Sequence, residues 1–274
     1  MSHKFRFGKQ KLLKTNQKEI TMNDKKFSFL IIDVTECLGD YIIQALSMHD
    51  AYSKPQIFGL FLDPLKLDSK TETLCEDVIQ GDPSQEDTIV KALEKSNPDV
   101  IILYIGNQND DGSAYSSRRA AKSTPTAAKT LASVLLAAPQ YHHIRVLVLS
   151  RLGAGGFRPK LGYGRGLIHS TRARRLLHDH RQQEAIFWCS NELRKRTTIL
   201  RLTKLVDDHR LKDRRIYSFD DFTKPPTQKI DRSDLADWIA DQLCHNQLKY
   251  LGGIVTNLTT VDANYTPGIL SRLV

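Results

Sequence analysis

A chain of 274 residues with 40% hydrophobic content is long enough for one large α/β domain with a sizeable core, and its composition is that of a soluble globular protein. No run approaches the ~20 apolar residues of a membrane span, no apolar leader opens the sequence, and the four cysteines (Cys37, Cys75, Cys189, Cys244) are scattered without a Cys-x-x-Cys pair. These features exclude a disulfide framework and a zinc site, and they point to a reducing, cytoplasmic setting with no membrane partner.

The net charge of +9 is uneven: residues 1–26 carry eight lysines and arginines against Glu19 and Asp24, a net of +6, which leaves +3 for the rest. Residues 1–26 therefore read as a basic arm expected to be disordered, and nucleic acid is not an expected partner of the body. Residues 27–32 form an apolar run of strand length. A helical pattern starts at Gly39, with Tyr41, Ile42, Ala45 and Leu46 on one face. Residues 56–62 read as a second strand closed by Asp63-Pro64, and residues 74–79 as a third, ended by Gly81-Asp82-Pro83. Ser84 is placed to cap a helix whose Ile89, Val90 and Leu93 lead to Asn97-Pro98. Residues 100–105 are a continuous apolar run of the kind found in a central parallel strand.

A polar loop (107–118), a helix (124–138), a strand (143–150), a Gly-rich loop (153–166) and a long helix (170–192) follow. Residues 197–202 form another strand, 231–244 a late amphipathic helix and 250–258 a closing strand. Strands alternating with helices mean βαβ units and right-handed crossovers. The predicted fold is α/β, a Rossmann-like doubly wound parallel sheet over residues 27–260, with a small C-terminal lobe from about residue 203 and a tail at 261–274.

The first strand, turn and helix (Phe27-Ser28-Phe29-Leu30-Ile31-Ile32-Asp33-Val34-Thr35-Glu36-Cys37-Leu38-Gly39) have the layout of a dinucleotide-binding unit. In such a unit the first glycine permits the tight turn, the second lets the backbone approach a pyrophosphate, and the third lets helix and strand pack closely. Here Asp33 and Glu36 stand in the first two places and only Gly39 remains. Glu36 would bring negative charge to where helix N-terminal amides receive phosphate. Gly39 and Thr35 are the vestigial cofactor-binding candidates.

Six phrases in this order resemble the NmrA-like branch of the atypical short-chain dehydrogenase/reductases, which includes flavin and biliverdin reductases. They are Leu38-Gly39 after the turn, Gly81-Asp82-Pro83, Val146-Leu147-Val148-Leu149-Ser150, Asp179-His180 with Gln183-Glu184, Thr198-Ile199-Leu200-Arg201, and Ile230-Asp231-Arg232-Ser233-Asp234-Leu235-Ala236. The resemblance covers about residues 27–260 and implies a Rossmann fold. It also implies a Ser or Thr near Ser150 that bonds a substrate carbonyl. Against the family pattern, Leu62 stands where NADP-dependent members carry an Arg for the 2′-phosphate, and Leu176 and His180 replace the Tyr-x-x-x-Lys pair.

Three residues are candidates for chemistry. Ser150 ends a central strand, where open α/β sheets place their ligand crevice; the alternative is a serine capping a loop. His180, with a free pKa of ~6.5, can exchange protons near neutral pH, against the alternative of a surface histidine. Tyr163 is the hydroxyl acid of the Gly-rich loop, which with Arg172, Arg174 and Arg175 reads as a lid over an anionic or aromatic substrate or as a solvated loop. His142-His143 has no carboxylate or cysteine at metal-ligand spacing and reads as a surface pair.

The combined loss of two glycines and the Arg predicts that no cofactor binds, NADP or NAD being the alternative. The expected activity is then a cofactor-independent isomerase, cyclase or dehydratase acting on a specialised small metabolite. A reductase that uses NAD(P)H and a non-catalytic regulator are the other readings, and a homodimer is left open.

Overall fold

The apolar run at residues 27–32 becomes β1 (Ser28–Asp33), an interior strand of an eight-stranded sheet. The structure is a computed structural model and describes residues 26–33, 38–50, 54–64, 67–105, 118–152, 154, 171–207, 216–219, 229–244 and 253–257. In chain order β1 is followed by α1 (Gly39–Met48), β2 (Gln56–Phe61), a one-turn α2 (Ser69–Glu72), β3 (Asp77–Gln80), α3 (Glu86–Ser96) and β4 (Val100–Tyr104). Then come α4 (Arg118–Ala137), β5 (Arg145–Arg151), α5 (Thr171–Cys189), α6 (Asn191–Arg194), β6 (Thr197–Leu202), β7 (Lys204–Val206), β8 (Ile216–Phe219), β9 (Lys229–Asp231), α7 (Arg232–Cys244) and β10 (Gly253–Asn257).

The spatial order is β3-β2-β1-β4-β5-β6-β10-β8. The first six strands are parallel, β10 adds to β6 in parallel, and β8 closes the edge antiparallel. The chain winds outward from β1 through β2 and β3, then returns to the other side of β1 with β4, so the sheet reverses its winding between β1 and β4. This is the doubly wound arrangement expected from the sequence. β7 and β9 form a separate parallel pair.

Period-two side-chain alternation explains why the central strands are continuous apolar runs. Phe29 and Ile31 face a core built with Leu38, Ile42 and Leu46 of the first helix region and Leu235 and Ile239 of α7. Leu30 and Ile32 face the opposite core, with Ile89 and Leu93 of α3, Leu131 and Leu135 of α4, and Phe187 of α5. Both faces are covered, so both sets must be apolar. Gly59 interrupts β2 for a local reason: a Cβ there would lie 2.2 Å from the Phe61 ring.

Several boundaries differ from the predicted ones. β3 starts at Asp77, not 74, because the amides of Leu74 and Cys75 are taken by the carbonyls of Thr71 and Glu72 after α2. Ser84 does not cap α3. Its amide closes a turn on Asp82 Oδ1 at 2.8 Å, and the N-cap is Gln85, whose side chain makes no capping bond. The long helix ends at Cys189, where Ser190 accepts from Leu193 N at 3.3 Å and starts α6. The short strands β7, β8 and β9 carry no legible alternation and were not foreseen.

One side chain holds the far end of α4. The Arg196 guanidinium donates to the carbonyls of Leu135 (3.0 Å), Ile144 (3.3 Å) and Tyr141, joining the last turn of the helix to the turn before β5. Arg196→Met keeps the aliphatic stem and leaves these carbonyls without that donor. It is expected to lower unfolding free energy by about 2 kcal/mol in urea titration; an unchanged midpoint would mean that water replaces the guanidinium at no loss.

Candidate functional site

In a parallel sheet every strand's carboxyl end opens on the same edge, and Ser150 is the penultimate residue of β5. Val146 and Val148 face the core beneath α3, α4 and α5, so Ser150, two residues on, points to the same side. In the register of β5 and β6 its partner is Arg201, which follows Ile199 on that side too. α5 covers this corner with Asp179, His180, Gln183, Glu184 and Phe187. The spacing i, i+1, i+4, i+5, i+8 makes one helical face, and all five are buried.

A helix face that buries four polar side chains in succession is unusual, and each such group needs a partner. Ser150 Oγ donates to Glu184 Oε1 at 2.7 Å. The same carboxylate receives a fork from Arg201: Nε at 3.0 Å to Oε1 and 3.2 Å to Oε2, and Nη2 at 2.6 Å to Oε2. Both side chains are more than nine-tenths buried, so this is an enclosed, bidentate ion pair. His180 Nδ1 lies 3.2 Å from Gln183 Oε1. The Gln183 Nε2 is buried with no hydrogen-bond partner among the described residues.

Ser150 and His180 line the same small pocket, together with Tyr104, Arg151, Leu202, Thr203 and Leu205 from the ends of β4, β5 and β6 and the start of β7. Two of the three predicted catalytic side chains therefore meet. Tyr163 lies outside the described residues, as do Thr35, Glu36, the side chains of Arg172, Arg174, Arg175 and Leu176, and the Gly-rich loop apart from Ala154. The alternative of a surface histidine is overturned, since His180 is 3% exposed. His142 and His143 are exposed, with His143 Nδ1 2.8 Å from the Gln140 carbonyl.

Glu184 and Arg201 were named in the sequence only as family phrases. Two signals pointed to them: the polar i, i+1, i+4, i+5 spacing above a buried Phe187, and a lone Arg inside the apolar strand Thr198-Ile199-Leu200-Arg201-Leu202.

The second part of the crevice lies between the carboxyl ends of β1 and β4, where the winding reverses and open α/β sheets bind nucleotides. α1 starts there at the buried Gly39. Its N-cap is Leu38, whose side chain offers no acceptor to the first-turn amides. A helix N-terminus suits an anion, while Asp40 in the same turn opposes one. Beyond β2, Leu62 is exposed and Asp63 half-buried.

Tyr41 ties this helix to the C-terminal segments. Its hydroxyl donates to Asp207 Oδ1 at 3.2 Å, and Arg232 Nη1 holds Asp207 Oδ2 at 2.6 Å. Burial, and then the Asp207 charge, push the Tyr41 phenol above its ordinary pKa, so it stays a donor.

Residues 53–246 match the sequence model of a family described as NAD(P)H-binding. No curated protein matches the sequence. Among solved structures, a wide-type short-chain dehydrogenase/reductase from Veillonella parvula DSM 2008 in complex with NADP is similar at TM-score 0.62 and 14% identity, over 84% of this chain and 95% of that one. An anaerobillin reductase from Escherichia coli O157:H7 gives 0.57 and 15%, over 84% and 97%. The oxidoreductase ylbE from Lactococcus lactis gives 0.58 and 15%, over 84% and 92%. At such identities the structures speak for the fold.

The family match corrects one expectation outright. The altered glycine turn had predicted that no cofactor binds, yet the matched family binds NAD(P)H. The match begins at residue 53, beyond the altered turn, and spans β2 through α7.

The enclosed ion pair makes a stability prediction. Arg201→Met strands a buried carboxylate and is expected to cost about 3–5 kcal/mol, whereas the double change Glu184→Leu with Arg201→Met should recover most of that. Urea unfolding of the two variants measures both; equal losses would show that water reaches the carboxylate.

Proposed function

The chain belongs to the NAD(P)H-binding family, in the atypical short-chain dehydrogenase/reductase branch its phrases resemble, and on that premise we propose that it is a reductase that prefers NADH to NADPH. The observation that carries the reading is the shared pocket of Ser150 and His180 at the carboxyl ends of β4, β5 and β6, beside the point where the sheet reverses. A nicotinamide dinucleotide, when bound, supplies the hydride. The amides that open α1 from Gly39 are the group suited to its pyrophosphate. Asp63, just past β2, is the group suited to ribose hydroxyls, and no Arg stands at Leu62 for a 2′-phosphate.

The remaining step is a proton transfer to a small-molecule substrate. His180 is the group for it: a histidine buried next to Gln183 exchanges a proton at Nε2 while Nδ1 keeps its amide neighbour. Ser150 fixes the substrate, and Tyr163 is a second hydroxyl that the Gly-rich loop carries. The isomerase, cyclase or dehydratase expected from the altered turn rested on a cofactor-free crevice and loses its ground with that premise. A regulator that senses the dinucleotide is separated from a reductase by turnover.

Calorimetric titration of the purified protein with NADH and NADPH tests the reading. NADH is expected to bind at least roughly tenfold more tightly, about 1.4 kcal/mol, and Leu62→Arg with Asp63→Ser is expected to reverse the order. Failure of both dinucleotides to bind at millimolar concentration removes the reductase; tighter NADPH removes only the preference.

A further inference from the structure

A serine hydroxyl has one proton to give and two lone pairs with which to accept. At Ser150 the proton is spoken for. Oγ donates at 2.7 Å to Glu184 Oε1, a carboxylate that the Arg201 fork holds in place. Ser150, Glu184 and Arg201 are all buried, so bulk water does not compete for that bond. A neutral carbonyl entering the pocket is a weaker acceptor than a carboxylate, so it does not draw the proton away.

We infer that Ser150 faces its pocket as a hydrogen-bond acceptor and not as a donor, and that the pocket therefore selects substrates that present an N–H or O–H at this point. This rests on the reductase reading and deepens it by naming what the substrate must carry beside its reducible group. It departs from the expectation drawn from the family resemblance, in which a Ser or Thr here donates to a substrate carbonyl.

Glu184 is then a positioning residue. It touches no substrate, and it sets the polarity of the serine that does. The consequence is specific, because Glu184→Gln reverses it. Arginine has only donors, so Nη2, the shorter contact at 2.6 Å, claims the amide oxygen at the Oε2 position, Nε keeps its 3.2 Å bond to that oxygen and gives up the one to Oε1, and the amide NH2 is left facing Ser150. Ser150 must then accept from that NH2, and its own proton turns toward the pocket. A mutation that merely loosened the structure would weaken all ligands alike, whereas this one exchanges one class for another.

Pyrrole and furan are the probes. They are rings of the same size that differ in one atom, an N–H donor in pyrrole and an acceptor oxygen in furan. Their binding is followed by the ring signals of His180 in protein with 13C-labelled histidine, with and without saturating NADH. In the native protein pyrrole is expected to bind roughly tenfold more tightly than furan. In Glu184→Gln the order reverses, and in Ser150→Ala the two rings bind alike. Equal binding, better furan binding or no pyrrole binding in the native protein overturns the inference, as does an unreversed order in a folded Glu184→Gln. If that variant does not fold, the native protein against Ser150→Ala decides. The rings need no dinucleotide, so this result is independent of whether NADH binds.

Discussion

A parallel sheet covered by helices on both faces has no wet side, so any charge carried inward by its strands must be neutralised there. Arg201 is such a charge, placed on β6 in line with the buried Ile199, and Glu184 on α5 is its answer. Pairs of this kind add little stability over well-packed apolar residues, because desolvating both groups offsets their attraction. What the pair supplies is placement. Glu184 lies one helical turn from His180 and one residue from Gln183, so fixing its carboxylate on Arg201 fixes the rotation of α5. The same carboxylate fixes Ser150. One ion pair thus sets two of the side chains that line the pocket, from two different elements.

The fold was legible because two-sided burial writes itself into sequence. Residues 100–105 and 146–149 read as strands since neither face in the interior of β4 or β5 can afford a polar side chain. Where a strand is short or its amides are claimed by a neighbouring turn, that signature fails, as at β3, which begins later than its apolar residues do, and at β7, β8 and β9.

The site was legible by halves. Ser150 stands out as the first polar residue after an apolar run, and His180 as a titratable group on a helix that follows. Their meeting in one pocket comes from the fold, which lays α5 over the carboxyl end of β5. Glu184 and Arg201 were visible only as charges, since a sequence shows a charge and not its partner. Their joint effect on Ser150 needs the 2.7 Å bond that only the fold provides.

The altered glycine turn is better understood as a change in local chemistry than as the loss of a ligand. Pyrophosphate recognition at a helix N-terminus is a property of backbone amides and of the aligned peptide dipoles, neither of which the side chains at positions 33 and 36 remove. In the sequence those two carboxylates add negative charge to the segment before the helix, and Asp40 in its first turn adds another. Gly39 is buried at the start of the helix, and Leu38 makes no side-chain capping bond of its own. In the proposed reductase the adenosine end depends on a different strand, β2, and on Leu62 and Asp63, which lie within the matched family region. Cofactor binding in this fold is therefore a sum over separate contacts along the crevice, and a damaged fingerprint at one of them weakens that sum without cancelling it.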